Sequence, residues 1–225
     1  MARLRREPSP LYAGHEALLL PWEQALVRHD RATGRFTRYV HDPQNAGTLN
    51  ANIIWTIAES PATPGILWVG TVGGGLNRFD PRTGTFRAFT TAHDLPNDNI
   101  YGMLSDDRGD LWMSTGHGIA RFDPRTETVT NYDAGDGLQD DEFHMLAYHR
   151  SRRTGEIFFG GPNGFNSFYP DSIRTSDYEP PVVLTGFRIF DEEHPGMLSS
   201  GDTLALSYRE NFFTLSFAAL DYVNP

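Results

Sequence analysis

The feature that most limits what this chain can become is a sentence it writes twice, LWVGTVGGGLNRFDPRTGTFRAF at residues 67–89 and LWMSTGHGIARFDPRTETVTNY at residues 111–132. A looser third copy, IFFGGPNGFNSFYPDSI, occupies residues 157–173. Trp68, Trp112 and Phe158 follow at intervals of 44 and 46 residues, and Phe79, Phe122 and Phe168 at 43 and 46. A period of that length belongs to the four-stranded blade of a β-propeller, a unit that buries its apolar faces against its neighbours.

The local chemistry of the repeat reads as strands. Short apolar runs at residues 66–69, 111–113 and 156–159 end in glycine-rich turns such as Gly73-Gly74-Gly75 and Gly116-His117-Gly118, where positive φ carries no steric cost. The following strand closes on Asp-Pro-Arg-Thr, at residues 80–83 and 123–126. Proline presets φ there and the aspartate bonds the backbone just beyond it, so each is a hairpin corner. The predicted blade is an inner strand (residues 99–105), a turn (106–109), a second strand, a glycine hairpin, a third strand, the corner and an outer strand (85–89 in the preceding copy). The fold class is all-β, with about three such blades.

At the N-terminus HDRATGRFTRY (residues 29–39) repeats the corner and outer strand, while LLLPWEQALV (18–27) does not supply the strands expected ahead of it. Residues 1–27 therefore read as an irregular segment, 28–175 as propeller repeats, and the chain as starting inside a blade. The basic opening, residues 1–6, resembles the start of a secretory signal, but the apolar stretch 17–20 is too short before Pro21 to complete one. Residues 176–181 form a polar, proline-bearing linker. Beyond it strand-like alternation returns at 182–190, 204–208 and 212–217 without the blade corner, so 176–225 reads as the start of an immunoglobulin-like sandwich, incomplete at about three strands.

Composition narrows the function. Twenty-two Gly, 15 Pro and 12% aromatic residues suit a turn-rich β protein. The absence of Cys removes disulfides, thiol nucleophiles and thiolate metal sites. A net charge of −10, with arginines scattered over corners, argues against nucleic acid, whose affinity comes from clustered cations on phosphates. No run of about 18 apolar residues occurs, so the sequence contains no membrane-spanning stretch. Catalytic and metal templates fail as well. His15-Glu16 is followed by Leu19 where a zinc-protease helix needs its second histidine. The acidic loop 131–142 carries Asp136 where a calcium loop needs glycine. Neither a catalytic residue, nor a metal site, nor a cofactor is expected.

Trp68 and Trp112 occupy the same blade position, as core residues do, so packing rather than sugar stacking explains them. The stretch Ser105, Asp107, Gly109 and Trp112 fits the Asp-box spacing of sialidase-type propellers, in which Asp107 would accept backbone N–H bonds and Gly109 would turn left-handed. Arg125 reads as an exposed corner residue. In a propeller, ligands gather where the loops leading into the inner strands meet the hairpins between second and third strands. That face would carry Gly73, His93, Asp98, Asn99, His117, Asp140, Glu142, His144 and Asn163, with Tyr101 just inside it, and these are the candidate ligand-binding residues.

The repeats resemble the two-component regulator propeller repeat. Its elements are matched by Leu95-Pro96-Asn97-Asp98-Asn99-Ile100, by Asp106-Asp107-Arg108-Gly109, by Leu111-Trp112 with Ser114-Thr115, and by Gly118-Ile119-Ala120-Arg121-Phe122-Asp123. Residues 136–173 resemble the terminal repeat of such propellers, and PPVVLTGFRIF with residues 207–225 resembles the opening of the triple-tyrosine domain, an immunoglobulin-like sandwich. The resemblance implies the sensor region of a membrane-anchored hybrid histidine kinase or related signalling protein, periplasmic or extracytoplasmic, non-catalytic in itself and responding to a small ligand such as an oligosaccharide. Family propellers close with many more repeats than three, so the chain is expected to be a fragment whose open blade edges favour self-association. The alternatives are a propeller carbohydrate enzyme, hydrolase or lyase, and a repeat scaffold for protein partners.

Overall fold

The computed structural model describes residues 12–13, 17–22, 25–173, 182–190, 192–193, 206–208 and 212–219. The chain divides into two compact units, Met1–Ile173 and Arg174–Pro225. The first holds four antiparallel sheets in chain order. They are β1 (Tyr12–Ala13), β2 (Ala17–Trp22), β3 (Ala25–Asp30) and β4 (Phe36–Tyr39); then β5 (Ile54–Glu59), β6 (Leu67–Thr71), β7 (Leu76–Asp80) and β8 (Thr85–Phe89). The third sheet is β9 (Ile100–Ser105), β10 (Leu111–Thr115), β11 (Ile119–Asp123) and β12 (Thr128–Tyr132), and the fourth is β13 (Tyr148–Arg150), β14 (Ile157–Gly161) and β15 (Gly164–Phe168). The second unit contains one sheet of β16 (Val182–Ile189), β17 (Glu192–Glu193) and β18 (Phe213–Ala219), in the order β17-β16-β18.

The two sharp copies fold alike because their burial is alike. β6 and β10 are buried along their whole length, as strands covered on both faces must be, and β7 and β11 share one alternation of buried and half-buried positions. The repeated tryptophans explain the period. Trp68, 0% exposed, meets Phe122 of the next copy at 5.1 Å, and Trp112, 1% exposed, meets Phe168 of the copy after that at 4.8 Å. Each of these two sheets thus offers an indole to the third strand of its successor. Burying a side chain of this size stabilises by roughly 4–6 kcal/mol as an upper estimate, from ~150–250 Å² at ~25 cal/mol/Å².

The corners are equally regular. Asp30, Asp80 and Asp123 each accept a backbone N–H two residues on at 2.9 Å, from Ala32, Arg82 and Arg125. Their carbonyls take the N–H of Gly34, Gly84 and Glu127 at 2.8 Å. That last position is left-handed in all three, at φ 69°, 74° and 59°, and Glu127 alone holds it without being glycine. Its carboxylate meets Arg87 of the preceding sheet at 2.7 Å. These turn bonds hold the corner carboxyls below the usual aspartate range, led by the Thr33 N–H at Asp30, the Arg82 N–H at Asp80 and the Arg125 side chain at Asp123.

Four readings of the sequence change. Residues 17–27, expected to be irregular, supply β2 and the start of β3, because Leu18 to Leu20 pair in register with His29 to Val27 despite Pro21. The N-terminal sheet β1–β4, expected only as a partial blade, has four strands, and the sheet of the third copy has three among the described residues rather than four. Residues 206–208, expected in a strand, end in a turn at Tyr208, whereas the short β17 escaped notice. The Asp-box turn is shifted by one residue. Asp106, not Asp107, accepts the N–H of Arg108 and Asp110 at 2.9 Å each and the Trp112 indole N–H at 3.0 Å. The carboxylate that faces inward is the one able to satisfy a buried indole, and Asp106 is buried. Gly109 is left-handed as expected, at φ 93°. The expected linker at 176–181 and the residues of the signal-like opening, 1–6, lie outside the described residues.

Candidate functional site

The face with the predicted site residues is built by one device used three times. Leu49, Leu95 and Leu138 stand at equivalent places, the first two buried and the third partly so, and three residues after each comes a side chain that ties down the preceding loop. Asn52 accepts the His41 N–H at 2.7 Å, Asp98 the Thr91 N–H at 2.7 Å and Asp141 the Ala134 N–H at 2.8 Å. The carbonyls of Asp98 and Asp141 also accept the N–H of Gly75 (2.9 Å) and Gly118 (2.6 Å), the left-handed glycines of the neighbouring hairpins. Either glycine is irreplaceable, because a Cβ at Gly75 or Gly118 would collide with the carbonyl oxygen of Phe89 or Tyr132.

Most of the expected ligand residues are therefore occupied by the scaffold. Asn99 accepts the Gly73 N–H at 2.8 Å, and Asp140 accepts the Asn163 amide at 2.7 Å and the Glu142 N–H at 3.2 Å. Loop and hairpin are brought together as the sequence suggests, but their polar groups answer one another. The histidines are held by different partners. His93 accepts the Thr90 N–H at 3.2 Å and lies edge-on to Phe89, His117 stands 3.9 Å from Asp141, and the His144 backbone bonds Gly160 at 2.9 Å. Tyr101 packs at 5.1 Å on Trp55. Asp141 went unnoticed in the sequence although it stands 43 residues after Asp98, the period of the repeat.

The other end of the same inner strands is different. A cleft of about 820 Å³ opens where β5, β9 and β13 end, floored by Ile57, Met103 and Leu104 and bounded by the β13–β14 hairpin. Arg150, Arg152 and Arg153 line it, so these arginines are clustered rather than scattered. The run HisArgSerArgArg (149–153) is the sequence signal that points here. Above the floor Tyr148 lies across Gly102, at a site where any Cβ would strike its ring, and its hydroxyl stands 3.2 Å from Thr56 Oγ1. A turn beside the cleft carries a fully buried carboxylate, Asp110, clamped by Arg121 (2.5 and 2.8 Å) and Arg125 (2.9 Å). Arg125, expected to be idle on its corner, thus helps neutralise a buried charge. Among the described residues no cluster of three or more His, Asp or Glu has metal-binding geometry, and no helix is long and apolar enough to cross a membrane.

Comparison with known proteins fits this architecture. Residues 94–117, which run from the loop through β9 and β10 to the next hairpin, match the family described as two component regulator propeller. Histidine kinase P4 of Formosa agariphila is 29% identical over 153 residues, covering 62% of this chain and 11% of that protein. The chain thus spans about a tenth of the length of this curated relative. Two structures of the extracellular domain of BT4673 from B. thetaiotaomicron, described once as a one component and once as a hybrid two component system, superpose with TM-scores of 0.59 and 0.55. Their identities are 22% and 23%, with 77% of this chain and 24% and 25% of theirs covered, and they share its fold.

Proposed function

We propose that this chain, which carries a two component regulator propeller repeat, belongs to the extracytoplasmic sensing region of a membrane-anchored signalling protein and helps it respond to a carbohydrate. The observation that carries the reading is the match at residues 94–117, because it covers the tied loop, the inner strand and the hairpin that together make one propeller face. The names of the relatives, a histidine kinase and the extracellular domain of a one or two component system, support the location and the output. Within this reading residues 176–225 open a triple-tyrosine sandwich, and the chain binds without chemistry of its own.

A ligand moves a signalling equilibrium only by its differential affinity for two arrangements. The test is the dose–response of the full-length parent to a panel of oligosaccharides, with His93, His117 and His144 replaced together by alanine. A shifted dose–response at unchanged thermal stability places recognition on the loop face, and an unshifted one places it elsewhere on the propeller. A response that never occurs, or turnover of a saccharide by the wild-type protein, replaces the sensor reading with another function.

A further inference from the structure

We infer that the cleft at the far end of the inner strands, rather than the loop face, is an anion-recognition site, and that it takes an oligosaccharide bearing a carboxylate or sulfate group. The inference deepens the sensing proposal and rests on it for its biological meaning, not for its chemistry.

Three observations converge. The first is charge. In a protein of net charge −10, Arg150, Arg152 and Arg153 gather on one cleft against two lining carboxylates, Glu59 and Asp107. Asp107 is engaged at 2.7 Å by one guanidinium nitrogen of Arg150. The second is satisfaction. Arg150 Nε is buried with no hydrogen-bond partner, and Arg152 and Arg153 form no ion pair or hydrogen bond among the described residues. Nε of Arg150 is closed to solvent, so what an oxyanion can reach is the guanidinium groups of Arg152 and Arg153, which have no bond in the fold to give up. The third is shape. A volume of about 820 Å³ lies in the range of ligand sites, ~300–1,000 Å³, and a mostly polar lining that includes three arginines suits a hydroxyl-rich ring with a charged substituent.

The planar guanidinium matches carboxylate and sulfate oxygens in pairs, which is what arginine offers and lysine does not. Arg152 and Arg153 sit on the hairpin that follows β13, and Gly155 closes that hairpin in a left-handed conformation at φ 75°. A ligand bridging this hairpin and the inner strands would therefore touch Tyr148 and Arg150 on one side and the two free arginines on the other. Among the described residues the loop face offers no comparable set of unanswered cations.

The experiment is calorimetric titration of the whole chain with trigalacturonate, with its fully methyl-esterified form, and with a sulfated glycosaminoglycan disaccharide. Arg152→Ala/Arg153→Ala is the test variant, Arg150→Lys a second that keeps the charge beside Asp107, and Arg31→Ala, on a distant corner, the control. The expected result is binding of at least one acidic probe, weakened tenfold or more by the double variant and by raised salt, unaltered in the control and absent for the ester. Which acidic probe binds distinguishes carboxylate from sulfate. Equal binding of ester and acid, equal binding by wild type and double variant, or binding of neither acidic probe overturns the assignment. If the acid binds the cleft and the parent gives no signal to it, the sensing proposal fails while the anion site stands.

Discussion

The two ends of the inner strands solve opposite problems with similar residues. On the loop face Asp98, Asn99, Asp140 and Asp141 look like a binding surface, yet each is used to hold a loop or a glycine hairpin in place. At the other end Arg152 and Arg153 look like ordinary surface charge, yet they line a cleft without partners among the described residues. Polarity alone therefore says little about recognition. What separates the two ends is whether a polar group has already been answered by the fold, since a satisfied donor or acceptor has little left to offer a ligand.

That comparison can be broken or sharpened by a graded set of variants. The packing shared by both ends should dominate, so Trp112→Ala is expected to cost about 3–5 kcal/mol, as a large-to-small core change that also takes the indole N–H from Asp106 Oδ2. Denaturant melts would show it. Next comes the Tyr148 contact beside the cleft, where Gly102→Ala must displace the Tyr148 ring and should destabilise by about 1–3 kcal/mol. Loss of the tyrosine's native fluorescence environment would accompany the loss of stability.

The loop face should follow. Asp98→Ala and Asp141→Ala each remove one side-chain acceptor from a backbone N–H and should cost about 1 kcal/mol apiece. Arg152→Ala with Arg153→Ala should stay within about 0.5 kcal/mol, because no interaction among the described residues depends on them. If the arginine pair proves as costly as the two aspartates, the distinction between an answered and an unanswered end disappears. The smallest effect is one of pH. The corner carboxyls of Asp30, Asp80 and Asp123 are depressed below 3.8, so what they contribute is complete above that value and is lost as pH falls through their folded pKa values. Replacing all three with Asn should flatten the acid limb of stability below about pH 4 and leave neutral pH nearly unchanged.

How far the sequence could be read follows from the same physics. Copies one period apart gave the blade because Trp68 and Trp112, or Phe79 and Phe122, must meet equivalent neighbours. The corner at Asp123 was legible because proline and aspartate act within five residues. β2 was harder, since its pairing is set by β3 across a hairpin and Pro21 masks the pattern. The Asp106 turn was misplaced by one because sequence cannot say which of two adjacent aspartates faces Trp112. Of the cleft only the arginine run 149–153 showed in the sequence, because Glu59, Ser105 and Arg150 are brought together only by lateral packing of three sheets.

Tyr148 carries a consequence for how the unit comes apart. In a linear array each repeat contacts only its immediate neighbours, so melting can proceed one repeat at a time from an end. Here a side chain of the fourth sheet crosses Gly102 of the third and reaches Thr56 of the second. Detaching the fourth sheet removes a contact from a sheet two places away, which couples next-nearest neighbours and lengthens the cooperative block to three sheets.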